Sequence, residues 1–155
     1  QPAFPGGRID PTDDGPVGAA LREAKEETGL DPAGVEVIGM LPELWIPPSG
    51  NVVTPVVAWW AEPSEVSAVS PLEVELVVRV PVRDLVDPAN RVMVKHPLGY
   101  ESPSFRVAGM LVWGFTAGVL DWLLTLTGWS VPWDRTITAP FPGTASPGSV
   151  PPGRN

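Results

Sequence analysis

The chain has 155 residues, a formal net charge of −8, 43% hydrophobic residues, 21 prolines and no cysteine. That length and apolar content suit one domain with a sizeable core and exclude wholesale disorder. The acidic balance argues against a nucleic-acid groove, whose phosphates demand lysine and arginine, and the lack of cysteine removes disulfides and thiolate metal sites.

The chain opens on Gln1 rather than methionine, already within a Pro/Gly turn, so it reads as a fragment. Nothing at its start resembles a secretory signal, and a cytoplasmic protein is expected. Residues 4–14 read as a loop, because Pro5, Gly6 and Gly7 break regular structure and Asp10-Pro11 favours another turn. Residues 17–28 are rich in helix formers and Gly29 supplies the stop, which predicts a helix. Residues 35–40 and 52–60 are β-branched and aromatic runs, hence strands, with Pro47-Pro48-Ser49-Gly50-Asn51 as the loop between them. Residues 73–80 make another strand ended by Pro81, and 82–86 a helical turn before the Asp87-Pro88 break.

Residues 107–127 are almost wholly apolar and close to the roughly 20 residues that span a bilayer. Gly109 and Gly114 divide the stretch, however, and Asp121 sits in its second half. We therefore read a strand at 110–113 and a buried helix at 116–127 capped by Thr116, and expect no membrane partner. The Pro/Gly/Ser-rich end reads as a disordered tail at 134–155, leaving a domain at 1–133. Strands between a first and a last helix suggest an α/β class, with a mixed sheet covered on both faces.

Glu23, Glu26 and Glu27 stand at i, i+3 and i+4, so they share one face of the first helix. Like charges gathered on one face cost stability and call for a counter-charge. The bland alternative is a solvated surface, with Arg22 paired to Glu26 one turn on and Lys25 nearby. The surroundings favour the first view. Gly7 and the segment REAKEETGL, Arg22 to Leu30, resemble the Nudix box, G-x5-E-x7-R-E-U-x-E-E-x-G-U with U aliphatic. Ala24 stands in for the aliphatic position. The first glutamate of the pattern is Asp13 here, and eight residues rather than seven separate it from Arg22. Both departures, with Gly6-Gly7-Arg8-Ile9-Asp10-Pro11-Thr12-Asp13, are similar to the coenzyme A pyrophosphatase branch of that family. The basic segment that this branch carries just upstream of the Phe-Pro-Gly-Gly falls before Gln1.

The resemblance implies a Nudix-type α-β-α sandwich with a mixed sheet, its first strands upstream of this chain. It implies hydrolysis of a diphosphate linkage with Mg²⁺ or Mn²⁺ bound by hard oxygen ligands. The substrate class would be a small nucleotide such as coenzyme A or an acyl derivative. Hydrolysis of another nucleoside diphosphate linked to a further group, and a non-catalytic nucleotide-binding module, remain alternatives, and a homodimer is left open.

By that resemblance Glu26 and Glu27 are the principal metal ligands, Glu23 a further ligand or the group orienting the attacking water, and the Gly6 carbonyl a ligand from the turn. Glu27, Glu23 and Arg22 form the catalytic set, with Arg22 holding Glu23 in position. Asp13 could link loop to helix or be a plain turn residue. A later carboxylate is also expected; Glu73 is the first candidate and Glu75 the second. His96, the sole histidine, is read as a surface residue, and Trp45 as either a base-stacking platform or sheet packing.

Overall fold

The computed structural model describes residues 1–46, 49–69 and 74–142. The chain divides into two units, one of Pro2–Pro81 and one of Gln1 with the residues from Val82 onward.

In the first unit, helix α1 (Gly15–Thr28) begins two residues earlier than predicted, because Pro16 at the first turn is tolerated where no N–H is needed. Gly29 ends it in the left-handed conformation (φ 71°), and its N–H donates to the Lys25 carbonyl at 2.9 Å. Ala19, Ala24 and Thr28 are buried, so the apolar side of α1 is made of small residues. The last carbonyls of a helix have no partner within it. Here the Ser67 N–H donates to Thr28 O at 3.0 Å and the Val69 N–H to Glu27 O at 3.1 Å.

Strand β1 (Val35–Met40) pairs antiparallel with β4 (Val56–Trp60), with a bulge between Val37 and Gly39. Gly34 precedes β1 where the Glu62 carbonyl closes on its Cα so tightly that a Cβ would collide with it. The expected strand at 52–60 is two strands. β3 (Asn51–Val53) pairs with β2 (Leu44–Ile46) in a hairpin, while β4 starts afresh after Pro55, which has no N–H to donate to a ladder. The expected strand at 73–80 does not form in its described part, 74–80. β-Branched residues favour extended backbone, but a strand exists only where a neighbouring edge accepts its hydrogen bonds.

The second unit holds a four-stranded sheet in the order β7 (Met110–Val112), β6 (Glu101–Val107), β5 (Arg91–Lys95), β8 (Thr138–Ala139). It is mixed, since β8 runs parallel to β5 and the other pairs are antiparallel. α2 (Val82–Val86) leads into it, as predicted, and α3 (Gly114–Leu126) packs on β6. Val92, Val94 and Ala139 form a buried cluster against Leu111, Trp113 and Phe141. β8 therefore places structured, core-contributing residues inside the segment expected to be a disordered tail; residues 143–155 lie outside the described residues.

Thr116 is not the cap of α3. The cap position is Trp113, whose extended backbone carries no side-chain cap bond, and Thr116 is buried in the first turn. Among the described residues no helix is long and apolar enough to cross a membrane.

Arg91 is only 1% exposed. Its guanidinium lies 4.3 Å over the Phe105 ring and 4.5 Å over the Trp133 ring, and Nη2 donates to Asp121 of α3. Nε finds no hydrogen-bond partner among the described residues. Flat cation faces against aromatic rings offset part of the desolvation, and the carboxylate supplies the charge. Arg91→Ala would leave Asp121 without its partner, and should lower unfolding free energy in urea by about 3 kcal/mol. Arg91→Met, which keeps the volume, should cost less in the same measurement.

Candidate functional site

The loop before α1 is shaped by a reciprocal pair of hydrogen bonds. The Asp13 N–H donates to Asp10 O at 3.0 Å, and the Asp10 N–H donates back to Asp13 Oδ2 at 2.8 Å. Pro11 sits second in this turn, where its fixed φ suits the geometry. The turn aims the Asp13 carboxylate at the second turn of α1. There Arg22 meets it as a fork, Nε to Oδ1 at 3.0 Å and Nη2 to Oδ2 at 3.1 Å. Asp13 is thus the link between loop and helix.

The rest of the guanidinium is equally committed. Nη2 also donates to the Arg8 carbonyl at 2.9 Å, tying the turn after Gly7 to the helix. Nη1 donates to two carboxylates at once, Glu23 Oε1 at 3.0 Å and Glu26 Oε2 at 3.1 Å. Asp10 lies further off, its Oδ2 3.8 Å from Nη2. Arg22 therefore holds Glu23, and it also makes the i,i+4 pair with Glu26 that the solvated alternative foresaw. One cation faces four carboxylates, so this patch keeps an excess of negative charge.

Burial grades these groups. The Asp13 side chain is 6% exposed, Glu23 16%, Arg22 25% and Glu26 59%. The Arg22 fork, then the Asp10 N–H, hold the Asp13 carboxyl below the ordinary carboxylate range. Reciprocally, Asp13 foremost and Glu23 after it raise the Arg22 guanidinium further above its already high value. Glu23 lies directly against the Cα of Gly7, where a Cβ would fall on its carboxylate. Gly7 is needed for this approach rather than for an unusual backbone angle.

The remaining expected residues are placed as follows. Glu27 is half-buried on the last turn of α1, and Gly6 is exposed in the turn beside Gly7. Glu73 lies outside the described residues, and Glu75 is exposed in irregular backbone. His96 closes the β5–β6 hairpin, stacked on Tyr100 with ring centroids 4.3 Å apart and accepting from the Leu98 N–H. Trp45 is 66% exposed on β2, opposite Val52. Asp10 and the Arg8 carbonyl are members of the Arg22 network that residue spacing did not single out. The Asp-Pro-Thr-Asp turn was the available signal, because it brings its two aspartates to one side.

Among the described residues no three acidic or histidine side chains are gathered closely enough to enclose a metal ion. The donor chemistry nevertheless fits a hard divalent cation: carboxylate oxygens on successive turns beside a glycine turn. Two of those carboxylates already converge on one cationic nitrogen.

The arginine–carboxylate cluster thus sits on a helix directly behind a Gly-Gly turn. The model of the NUDIX domain matches residues 1–98, and the chain belongs to that family. Members of the family in general need a divalent metal ion and act on small nucleotide substrates. Three proteins named Uncharacterized Nudix hydrolase NudL, from Salmonella paratyphi B, Salmonella newport and Salmonella heidelberg, are each similar at 45% identity over 75 residues. The match covers 44% of this chain, which spans 39% of the length of those relatives.

Because the folded-state value of Asp13 is depressed, its stabilisation is fully present above the ordinary 3.8 and is lost as pH falls through the lower folded value. Asp13→Asn should therefore flatten the acid limb of a circular-dichroism pH titration between 3.8 and the lower folded value. At about pH 7 the same variant should be less stable than the parent chain in urea.

Proposed function

We propose that this chain is the metal-binding part of a Nudix pyrophosphohydrolase that cleaves a diphosphate linkage in a nucleotide. The observation that carries this reading is the excess of carboxylate around Arg22. A surface built only for stability would balance its charges, whereas this one leaves room for further positive charge. The preferred substrate is coenzyme A or acyl-coenzyme A, cut to 3′,5′-ADP and the (acyl-)4′-phosphopantetheine. Support for that choice is the Gly-Gly-x-x-Asp-Pro-x-Asp opening and the Asp13–Arg22 link that it builds.

Glu26 and Glu27 would hold Mg²⁺ or Mn²⁺, joined by Glu23 and by the Gly6 carbonyl, with Glu73 as the later carboxylate. A bound divalent ion supplies neutralisation of the phosphate oxygens and a more acidic water. The chain's own groups do the positioning. Arg22 steers the Glu23 carboxylate through Nη1, and Gly7 lets that carboxylate sit flush against the backbone, so that it faces one direction. A carboxylate fixed in this way can accept a proton from a water delivered to phosphorus. Asp13 keeps Arg22 from swinging away, because its fork uses the two nitrogens that Glu23 and Glu26 do not.

Substituting Glu26→Gln and, separately, Glu27→Gln should lower kcat roughly 100-fold or more while circular dichroism shows an intact fold. Unchanged turnover in both would remove Glu26 and Glu27 from the metal-binding role, whereas nucleotide binding with no turnover in the parent chain would leave the nucleotide-binding module as the better description. Coenzyme A, ADP-ribose and NADH assayed side by side with Mg²⁺ or Mn²⁺ test the substrate. Coenzyme A should be cleaved with the highest kcat/KM, and equal or better turnover of either other nucleotide would remove that assignment.

A further inference from the structure

We infer that Arg22 is an internal cation that competes with the divalent ion for Glu26, so that metal binding proceeds by exchange of one counter-charge for another. The inference rests on the metal-dependent reading above. Its basis is the division of labour within one guanidinium. Nε and Nη2 are held by Asp13, which is nearly buried, and by the Arg8 carbonyl. Nη1 alone spans Glu23 and Glu26, and Glu26 is the exposed partner of the two.

The two halves of the side chain therefore differ in what they can give up. Breaking the Asp13 fork would leave a carboxylate without its cation in a site that water barely reaches, which is costly. Breaking the Nη1 contact to Glu26 returns an exposed carboxylate to water and costs little. Glu26 can thus turn to a hard cation while Arg22 stays anchored on Asp13 and keeps Glu23. The tether fixes the direction of the exchange: the exposed glutamate leaves, the half-buried one stays. It also sets the metal affinity, since every divalent ion bound must first be preferred by Glu26 over Nη1.

A residue that only props up the site would make opposite predictions on substitution. Removing a prop loosens the ligands and weakens metal binding, whereas removing a competitor tightens it. The test uses the whole chain, Mn²⁺ alone as probe, and isothermal titration calorimetry. Arg22→Gln should bind Mn²⁺ about five-fold more tightly than the parent chain. Weaker or equal binding by a folded Arg22→Gln variant, beside normal binding by the parent, overturns the exchange and leaves the metal-dependent reading standing. Failure of the parent chain to bind Mn²⁺ at all overturns both.

The unaltered chain offers a second measurement, which decides the matter if the variant does not fold. In a ¹⁵N NMR titration with diamagnetic Mg²⁺, the Arg22 Nε–H resonance should keep its position. The Nη resonances should at the same time show faster exchange as the contact to Glu26 opens. Saturation with no change in the Nη signals would rule the exchange out.

Discussion

A single guanidinium organises the acidic cluster of the first unit. Arg22 joins the turn at Asp10 and Asp13, the carbonyl of Arg8 and two glutamates of its own helix. Without it, the acidic face of α1 and the acidic loop before it would repel one another at close range. With it, loop and helix are held in one register, and the Glu23 carboxylate comes to rest on Gly7. The charges nevertheless do not balance. Four carboxylates surround one cation, and the residual negative charge is the feature on which the proposed divalent-ion role rests.

The second unit uses the same side chain to opposite effect. Arg91 is shut away from water between Phe105 and Trp133, with Asp121 as its ionic partner. Its charge is matched one to one, and aromatic faces fill the rest of its surroundings. Such an arrangement joins β5 to α3 and leaves no excess charge for a ligand to exploit. Stoichiometry and solvent access separate the two arginines: Arg91 is dry and matched by one carboxylate, while Arg22 is partly exposed and outnumbered by its carboxylates.

Where sequence patterns failed, the cause was the partner rather than the residue. β6 contains Pro103, which disguised a strand. In the sheet Met93 stands opposite Pro103, and the Met93 N–H turns the other way, to the Ile137 carbonyl. Pro103 therefore faces away from β5 with its missing N–H, at a position outside the pairing between β6 and β7, which covers only Phe105–Val107 on β6. Proline is tolerated there because no hydrogen bond is required of it. In the same way the Pro-rich stretch around β8 reads as tail until β5 offers it an edge, and residues 74–80 read as strand although no edge among the described residues receives them. Thr116 looked like a cap by composition, but Gly114 at φ 64° starts the helix two residues earlier and draws it inside.

Local spacing determined the helix, its glycine stop and the shared face of Glu23, Glu26 and Glu27, because a 3.6-residue repeat fixes which side chains are neighbours whatever surrounds them. The resemblance to the Nudix box, not helical spacing, marked Gly7 and Asp13 as part of the same motif. Only the folded chain decided what those residues touch. The Asp10–Asp13 turn had to close before Asp13 could meet Arg22, and β5 had to exist before β8 could pair with it. Contacts within one helix follow from sequence separation alone, whereas contacts between a loop and a helix, or between strands, depend on the path of the chain between them.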